Sequence, residues 1–316
     1  MNLNDFTIII PCISFQDVKK CIQNIRKNYR SLKIIISLNK NVKKNNDKNL
    51  KIIVSKFKGI GKKRNIAVDK CKTKYIAFLD SDAFPEKNWI ESSFKYLKKK
   101  NVGIVAGPHV DPPTQNYFQK IVGIVKKSYL ITIHPNFQKN DKKGAQFLSF
   151  SPSCNWILSK KLFNSLKQMD DGMLRNEDWD FVHKMKKTNF RLFYSPATLV
   201  YHENISVKHF IKKRFIYGVY NWPILKELNI NNFYFFLPLF FFLFLLSFPL
   251  SFISNTYLIF YFSILSLYLF VVLFETLRIL DNIKDFFLVL FVLIAGNISP
   301  GIGIFIGFFN YLKKRV

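Results

Sequence analysis

The most informative stretch of the chain is Lys74–Trp89, KYIAFLDSDAFPEKNW. Its first part, 75–79, is an apolar run rich in strand formers, and a strand without polar alternation is usually buried on both faces. The run ends at Asp80, Ser81 and Asp82. Side chains at i and i+2 of an extended chain point to the same side, so Asp80 and Asp82 aim two carboxylates at one point past the carboxyl end of the strand.

This pair of carboxylates has two interpretations. In open α/β sheets, ligands bind at the carboxyl ends of the strands, and carboxylate oxygens suit Mg²⁺ or Mn²⁺. The alternative is that Asp80-Ser81-Asp82 is simply a polar turn. The stretch by itself leaves both interpretations open.

Strands and helices alternate along the first two thirds of the chain. This order favours an α/β fold, with a mostly parallel sheet covered by helices on both faces. The strands are expected at 6–10, 32–37, 51–55, 75–79, 102–106, 147–150 and 155–158, with edge strands at 191–194 and 198–201. The helices are expected at 16–27, 62–70, 87–100, 117–130, 160–166 and 176–188, with Asn176 as N-cap, and the polar loop 135–144 is expected to be a lid.

The charge of the chain restricts its partners. Its 316 residues are enough for about two domains, and the formal net charge is +28. Such a charge is typical of proteins that bind nucleic acid, a membrane surface or anionic substrates. Because the last third is rich in Phe, Leu and Ile, anionic membrane lipids are the expected partner, and no nucleic acid is expected.

The character of the chain changes after residue 205. Residues 1–205 are expected to form the α/β domain, and 206–230 a basic, amphipathic helix at a membrane interface. Residues 231–316 are expected to form a membrane region, with spans at about 233–253 and 256–274.

A third charge-free segment, 286–309, is interrupted by Asn297, Ser299 and Pro300. A third full span would place Lys313, Lys314 and Arg315 outside, against the positive-inside tendency. A re-entrant or interfacial hairpin is therefore favoured, with a span as the alternative.

The N-terminus and the cysteines indicate the compartment. The apolar run 6–10 is too short for a signal peptide, and Asp5 comes early. Cys12, Cys21, Cys71 and Cys154 form no C-x-x-C pair, so free thiols in a reducing compartment are expected. The first two thirds should face the cytoplasm, on a multi-pass protein of the inner membrane.

Two further patches carry chemistry. Residues 59–65, GIGKKRN, are a glycine loop that runs into a helix start with three cations, which favours phosphate. Asn176 is followed by Glu177, Asp178, Trp179 and Asp180, and Asp178 on its own is better explained as a first-turn acid of a helix. Together with the carboxylate pair, the patches predict a metal-bridged diphosphate and a separate carboxylate base.

The order of these motifs carries a family resemblance. The chain reads FTIIIP, GIGKKRN, YIAFLDSD, NEDWDF and VYHE between residues 5 and 220, which resembles the family 2 glycosyltransferases of the GT-A fold. The tail GIGIFIGFF is similar to the membrane tail of their bacterial exopolysaccharide-type members. The resemblance implies a GT-A domain followed by a helical membrane region.

The resemblance also implies roles for individual residues. The donor side is a nucleotide-diphosphate sugar with Mg²⁺ or Mn²⁺. Asp80 would contact the nucleotide sugar, Asp82 would bind the cation on its diphosphate, and His202 would reach the metal or diphosphate unless it is structural. Lys63 and Arg64 would lie near the nucleotide and its phosphates, and Pro11 and Cys12 would line its pocket.

On the acceptor side, Asp178 would be the general base that deprotonates the acceptor hydroxyl. Glu177 would hold that loop or contact the acceptor, and Trp179 would support the helix. One position departs from the family pattern: many members have an acidic residue after the second strand, and this chain has Ser37-Leu38-Asn39. Asn39 is expected to hydrogen-bond a base edge, and the nucleobase stays open.

The expected reaction is inverting glycosyl transfer to a lipid-linked glycan in cell-surface polysaccharide assembly. A polyprenyl-phosphate sugar synthase would use the same catalytic residues on a lipid phosphate. A processive polysaccharide synthase is disfavoured because the chain lacks a Q-x-x-R-W motif. A non-catalytic basic membrane scaffold explains the charge of +28 but not the spaced acidic patches.

Overall fold

The computed structural model describes residues 1–40, 46–57, 59–132, 144–222 and 235–313, with the backbone alone at Lys313. These residues form two compact units. The first unit contains residues 1–113 and 144–203, and the second contains 114–132, 204–222 and 235–313. Most of the predicted lid, 135–144, lies outside the described residues.

The first unit is built on a large sheet that contains the Tyr75–Leu79 strand near its centre. In the part of the chain that is described, its strands in spatial order are β3 (Leu50–Val54), β2 (Lys33–Leu38), β1 (Phe6–Pro11), β4 (Tyr75–Leu79), β9 (Asn155–Ser159), β6 (Val102–Ala106), β10 (Arg191–Tyr194) and β8 (Gln146–Leu148). β1 to β4 run parallel, so their carboxyl ends meet at one edge of the sheet. Asp80 follows β4 at that edge.

The other half of the sheet differs from the expectation of parallel pairing. β9 is inserted between β4 and β6 and runs antiparallel to both, and β8 is antiparallel to β10. The expectation that 191–194 is an edge strand is wrong, because β10 lies between β6 and β8.

A second, smaller sheet has the order β5 (Ala83–Pro85), β11 (Val200–His202) and β7 (His109–Val110). β11 pairs on both sides, antiparallel to β5 and parallel to β7, so 198–201 is not an edge strand either. The register His202↔Ala83 carries the imidazole of His202 towards the turn that follows β4.

Helices cover both faces of the large sheet, so the predicted α/β class is confirmed. They are α1 (Phe15–Asn28), α2 (Ile60–Asp69), α3 (Trp89–Leu97), α5 (Lys160–Ser165) and α6 (Glu177–Lys186). Residues of β1 alternate between two apolar clusters: Ile8 and Ile10 pack with residues of α1 and α3, and Ile9 packs with residues of α2, α5 and α6. This two-sided burial explains why the strands are apolar runs.

The second unit is helical. In the ranges described, it contains α4 (Tyr117–Lys126), α7 (Val207–Val219), α8 (Leu237–Leu246), α9 (Asn255–Ile279) and α10 (Phe286–Lys313). Two stretches, Asn255–Ile279 and Ile283–Leu312, are helices long and apolar enough to cross a membrane, judged by length and composition. In Asn255–Ile279, 11% of the most apolar 18-residue stretch is buried, so most of its Phe, Leu and Ile side chains face outwards.

The structure divides the predicted span 233–253. Of its described residues, 237–246 form α8, and 248–252 form a separate 3₁₀ turn that contains Pro249. A proline lacks the N–H that would continue the helix, which accounts for the break. At 1.5 Å per residue, α8 is about 15 Å long, roughly half of the hydrocarbon core of a bilayer.

The segment 286–309 is one continuous helix, α10, rather than a hairpin, although Pro300 lies inside it. A proline leaves the carbonyl four residues earlier without its helical donor, which here is Gly296 O. Arg214 of α7 replaces that donor, because its Nε lies 3.0 Å from Gly296 O. Its Nη1 donates to Ile131 O at 3.1 Å.

The basic segment 206–230 begins with α7, and 223–230 lie outside the described residues. A Cβ added at Gly218 would lie 2.2 Å from Pro300 O, and one at Gly303 would lie 2.1 Å from Phe215 O. α7 therefore packs backbone to backbone against α10, while Lys208 and Lys212 stay exposed.

Candidate functional site

The carboxylate pair lies at the carboxyl end of β4, with His202 across from it. His202 Nε2 lies 3.5 Å from Asp82 Oδ1 and 3.8 Å from Asp80 Oδ2. The side chain of His202 is 14% exposed, against 31% and 41% for the two carboxylates, so the group opens to solvent on the aspartate side. The structure thus brings together the three predicted metal ligands, although His202 lies 120 residues after Asp82 in the sequence.

The donor atoms of this group fit a divalent cation. Carboxylate oxygens suit Mg²⁺ and Mn²⁺, and an imidazole nitrogen suits Mn²⁺ and later transition metals. Asp80, Asp82 and His202 are therefore the residues that would hold a metal here.

Sequence reasoning missed one member of the group, Cys154. One atom each of Asp80, Cys154 and His202 lie within 4.8 Å of one another. The register Leu79↔Asn155 between β4 and β9 places residue 154 opposite residue 80. Spacing along the chain carried no signal for this contact, because it depends on the antiparallel insertion of β9.

Arg64 connects the two acidic patches. Its Nη2 donates to Asp80 Oδ1 at 2.8 Å, and its Nη1 donates to Glu177 Oε1 at 3.2 Å and to Ser153 Oγ at 2.7 Å. Arg64 is 1% exposed and belongs to α2, whereas Glu177 begins α6. A buried, planar guanidinium holds carboxylates in a fixed geometry, so it fixes the distance between the patches.

Gly61 allows this close approach of α2 and α6. A Cβ at Gly61 would lie 3.0 Å from Glu177 Cγ and 3.1 Å from Glu177 Cβ. The predicted glycine loop is in fact the N-cap and first turn of α2, which begins at Ile60. Gly61 thus contributes to the site through packing.

Asp178 lies beside Glu177 and is held by backbone donors. Its Oδ1 accepts from Trp179 N at 2.9 Å, and its Oδ2 accepts from Ser153 N at 3.3 Å. Burial raises the pKa of Asp178 above its ordinary value, against the opposing effect of Arg64. Burial, and next the charge of Asp178, raise the pKa of Glu177 to about 7. A raised pKa suits a carboxylate that accepts a proton.

Asn176 is the N-cap of α6, as predicted. Asn176 adopts the left-handed conformation with φ of 64°, and its side chain makes no capping hydrogen bond to the described residues. Asparagine tolerates this conformation better than most residues. The turn directs Glu177 and Asp178 inwards to Arg64 and Ser153.

The residues predicted for the nucleotide pocket are bonded to one another. Lys63 Nζ donates to Cys12 O at 2.7 Å and to Asn39 Oδ1 at 2.6 Å. The amide group of Asn39 donates to Ser55 O and Phe57 O, so it is engaged with the protein rather than turned to a ligand. Burial lowers the pKa of Lys63.

Pro11 ends β1 and is followed by Cys12, which is 5% exposed. Burial raises the pKa of Cys12 to about 12, so its thiol stays protonated at neutral pH. These residues lie where β1 and β2 end, next to β4. The hydrogen bonds among Cys12, Asn39 and Lys63 indicate that this edge of the sheet is rigid.

Two further residues have mainly supporting contacts. Trp179 stacks on His183 with ring centroids 5.4 Å apart. Asn65, next to Arg64, bonds both ways with the backbone of Met169 and also donates to Asp171. The Arg-Asn pair of the motif thus fixes the loop before α6 as well as the carboxylates.

Comparison with known proteins assigns the chain to a protein family. Residues 7–166, half of the chain, match the family described as Glycosyl transferase family 2. The match includes Arg64, Asp80, Asp82 and Cys154, and Asp178 and His202 follow it.

The pre-mycofactocin glycosyltransferase of Mycobacterium tuberculosis, in strains CDC 1551 / Oshkosh and ATCC 25618 / H37Rv, is 24% identical over 170 residues. The alignment covers 51% of this chain and 34% of that protein, so this chain spans about a third of the length of these relatives.

Two solved structures are also similar. S. aureus TarS 1–349 has a TM-score of 0.45 at 14% identity, over 68% of this chain and 64% of that chain. GalNAc-T7 with UDP, GalNAc and Mn²⁺ has a TM-score of 0.49 at 12% identity, over 72% and 52%. With its family match and its mixed α/β core of the GT-A type followed by apolar helices, the chain belongs to glycosyl transferase family 2.

Proposed function

We propose that this chain is a membrane-bound, inverting glycosyltransferase that moves a sugar from a nucleotide-diphosphate donor to a lipid-linked glycan in cell-surface polysaccharide assembly. The observation that carries the proposal is the bridge made by Arg64 between Asp80 and Glu177. The bridge brings the carboxylate of Asp80, which could bind a metal ion, close to the separate carboxylate of Glu177, whose pKa is raised. Glycosyl transfer needs both groups, one for the leaving diphosphate and one for the acceptor.

The donor half consists of Asp80, Asp82 and His202. They would hold Mg²⁺ or Mn²⁺, and the cation, when bound, would neutralise charge on the diphosphate of the nucleotide sugar. Arg64 holds Asp80 by one oxygen, Oδ1, so that the other, Oδ2, faces His202. This fixed orientation avoids reorganisation during reaction.

The acceptor half is Asp178. Its carboxylate takes the proton of the acceptor hydroxyl while the acceptor oxygen bonds to the anomeric carbon. The bond from that carbon to the diphosphate oxygen breaks at the same time, and the electron pair leaves with the nucleoside diphosphate. The product has inverted configuration because attack and departure occur on opposite faces.

The membrane part of the proposal is supported by α9 and α10 and by exposed lysines on α7. Apolar helices would hold the enzyme in the inner membrane, and Lys208 and Lys212 would contact anionic lipids. All four cysteines are free thiols, as expected for a catalytic unit that faces the cytoplasm. An enzyme anchored in this way would meet acceptors that are themselves anchored by a lipid.

The test is a transfer assay with the full chain purified in detergent. A panel of nucleotide sugars is supplied with Mg²⁺ or Mn²⁺ and with three acceptors: a polyprenyl-diphosphate-linked sugar, a polyprenyl phosphate and a free sugar. We expect transfer to the lipid-linked sugar, and a loss of about 10²- to 10⁴-fold in Asp178→Asn, the usual contribution of a general base.

Other outcomes would replace parts of the proposal. Transfer to the polyprenyl phosphate alone would make the protein a polyprenyl-phosphate sugar synthase. Equal transfer to the free sugar would contradict the proposal that the acceptor is lipid-linked. An absence of both transfer and metal-dependent nucleotide binding would favour the non-catalytic scaffold.

A further inference from the structure

Cys154 lies beside two of the three predicted metal ligands, Asp80 and His202. It follows Ser153, which accepts from Arg64, and precedes Asn155, the first residue of β9. Its Sγ, one carboxylate oxygen of Asp80 and one imidazole nitrogen of His202 lie within 4.8 Å of one another. Cys154 itself is 6% exposed. A buried cysteine is often just a small apolar residue of the core, but here the sulfur is turned to an oxygen and a nitrogen donor.

We propose that Cys154 is a ligand of the cation in the donor half, so that the site takes a thiolate-accepting ion such as Co²⁺ or Zn²⁺ in preference to Mg²⁺. The inference rests on the proposed function for the role of the cation, and on the geometry of the residues for the ligand itself. Mg²⁺ selects oxygen ligands, whereas sulfur and imidazole together select later transition metals. The thiol gives its proton to solvent as the bond between sulfur and metal forms.

The distances between the three ligand atoms are slightly longer than those expected in a metal-bound site. Metal–sulfur and metal–nitrogen bonds of about 2.3 and 2.0 Å place neighbouring ligand atoms of a tetrahedral site about 3.5 Å apart. His202 Nε2 and Asp80 Oδ2 already lie 3.8 Å apart. Since the three atoms lie within 4.8 Å of one another, the sulfur has to approach by about 1.3 Å at most, the size of a side-chain adjustment next to the start of β9.

The neighbouring contacts of Asp80 and His202 orient the two side chains towards each other. Arg64 bonds to Asp80 through Oδ1, whereas Oδ2 faces His202. His202 Nδ1 lies 3.1 Å from Glu203 O, which orients Nε2 towards the carboxylates. Such a second contact on a histidine is typical of metal ligands.

The test is a Co²⁺ titration of the full chain in detergent, followed by absorbance. A cobalt–thiolate bond gives a charge-transfer band in the near ultraviolet, which oxygen and nitrogen ligands do not give. We expect the band in the wild type and its loss in both Cys154→Ser and Cys154→Ala, with Co²⁺ binding weakened about tenfold or more. Cys154→Ala keeps an apolar side chain at this buried position, and the thermal midpoint of each variant reports whether it folds.

The matched control is Cys71→Ser, which should keep the band. Cys71 is also a buried free cysteine, but its Sγ lies 3.1 Å from Thr73 Oγ1. A wild type without the band, or a band that persists in folded Cys154→Ala, would overturn the inference. Wild-type transfer that Mg²⁺ supports as well as Co²⁺ or Zn²⁺ does would overturn the metal preference and leave the proposed function standing. Conversely, a cobalt band in a chain that transfers no sugar would support the ligand and contradict the proposed function.

Discussion

Arg64 is the residue with the largest predicted effect on stability in the first unit. It is 1% exposed and bonds to Asp80, Glu177 and Ser153. Removing one partner of a buried ion pair leaves the other charge unpaired, which costs about 3–5 kcal/mol. We therefore expect Arg64→Met to lower the free energy of unfolding by that amount.

The matched control is Lys62→Met on the same helix. Lys62 Nζ lies 3.4 Å from Asp171 Oδ2 in a partly exposed surface pair, and surface pairs contribute about 0–1 kcal/mol. Urea unfolding of the full chain, followed by the fluorescence of the fully buried Trp89 and Trp156, measures both. Equal losses in the two variants would contradict the bridging role of Arg64.

The second residue-scale prediction concerns pH. Asp178 accepts a proton only when it is ionised, and burial raises its pKa above the ordinary value. Activity should therefore fall, as pH is lowered, at a higher pH than the ordinary aspartate value of about 3.9 would give. The pH profile of kcat/KM measures this limb, and the residual activity of Asp178→Asn should lack it. A limb at the ordinary aspartate value would argue against Asp178 as the base.

The site residues that could be predicted from the sequence come directly after a recognisable strand or turn pattern. Asp80 and Asp82 follow an apolar run, and Asp178 follows a turn signal, so their positions were predictable. Ser153 and Cys154 were missed because they reach the site through the pairing of β9 with β4, from which they are separated by more than seventy residues. The left-handed turn at Asn176 was also missed, because it depends on the contacts of Glu177 with Arg64.

At the scale of elements, the sequence predicted which segments form strands but not how all of them pair. An apolar run such as Trp156–Leu158 has the same pattern whether the strand runs parallel or antiparallel to its neighbours. The structure inserts it antiparallel between β4 and β6. That orientation brings the start of β9, rather than its end, to the carboxyl ends of the parallel strands.

The packing of α7 on α10 gives an element-scale prediction. Arg214 Nε donates to Gly296 O, the carbonyl that Pro300 leaves without its helical donor. Leaving a buried acceptor without a partner costs about 1–3 kcal/mol, so Arg214→Met should destabilise the chain by an amount in this range. In a Pro300→Ala background the alanine supplies its own N–H, and the same substitution should cost less by about 1 kcal/mol.

Thermal unfolding of the wild type, both single variants and the double variant in detergent measures this coupling. The bond from Arg214 to Ile131 O is lost in both backgrounds and cancels in the comparison. Equal costs of Arg214→Met in the two backgrounds would show that Arg214 does not replace the donor missing at Pro300.

At the scale of the whole molecule, the two units differ in amino-acid composition and in the groups that they carry. The α/β unit carries the acidic groups, and the second unit has apolar helices of membrane-spanning length. The sequence predicted this division, since periodicity and charge-free runs report it directly. It misplaced the helical breaks in the apolar part: Pro249 ends a helix, whereas Pro300 is accommodated by Arg214.

In the proposed site, the first unit holds a donor half at Asp82 and a separate acceptor half at Asp178. Calorimetric binding of a nucleotide-diphosphate sugar to the full chain in detergent, with and without Mn²⁺, tests this division most directly in Asp82→Ala and Asp178→Asn. We expect Asp82→Ala to lose the metal-dependent part of the affinity, whereas Asp178→Asn should bind the donor like the wild type but not transfer the sugar. Metal-dependent binding that survives in Asp82→Ala, or that is lost equally in Asp178→Asn, would contradict the division of the site into two halves.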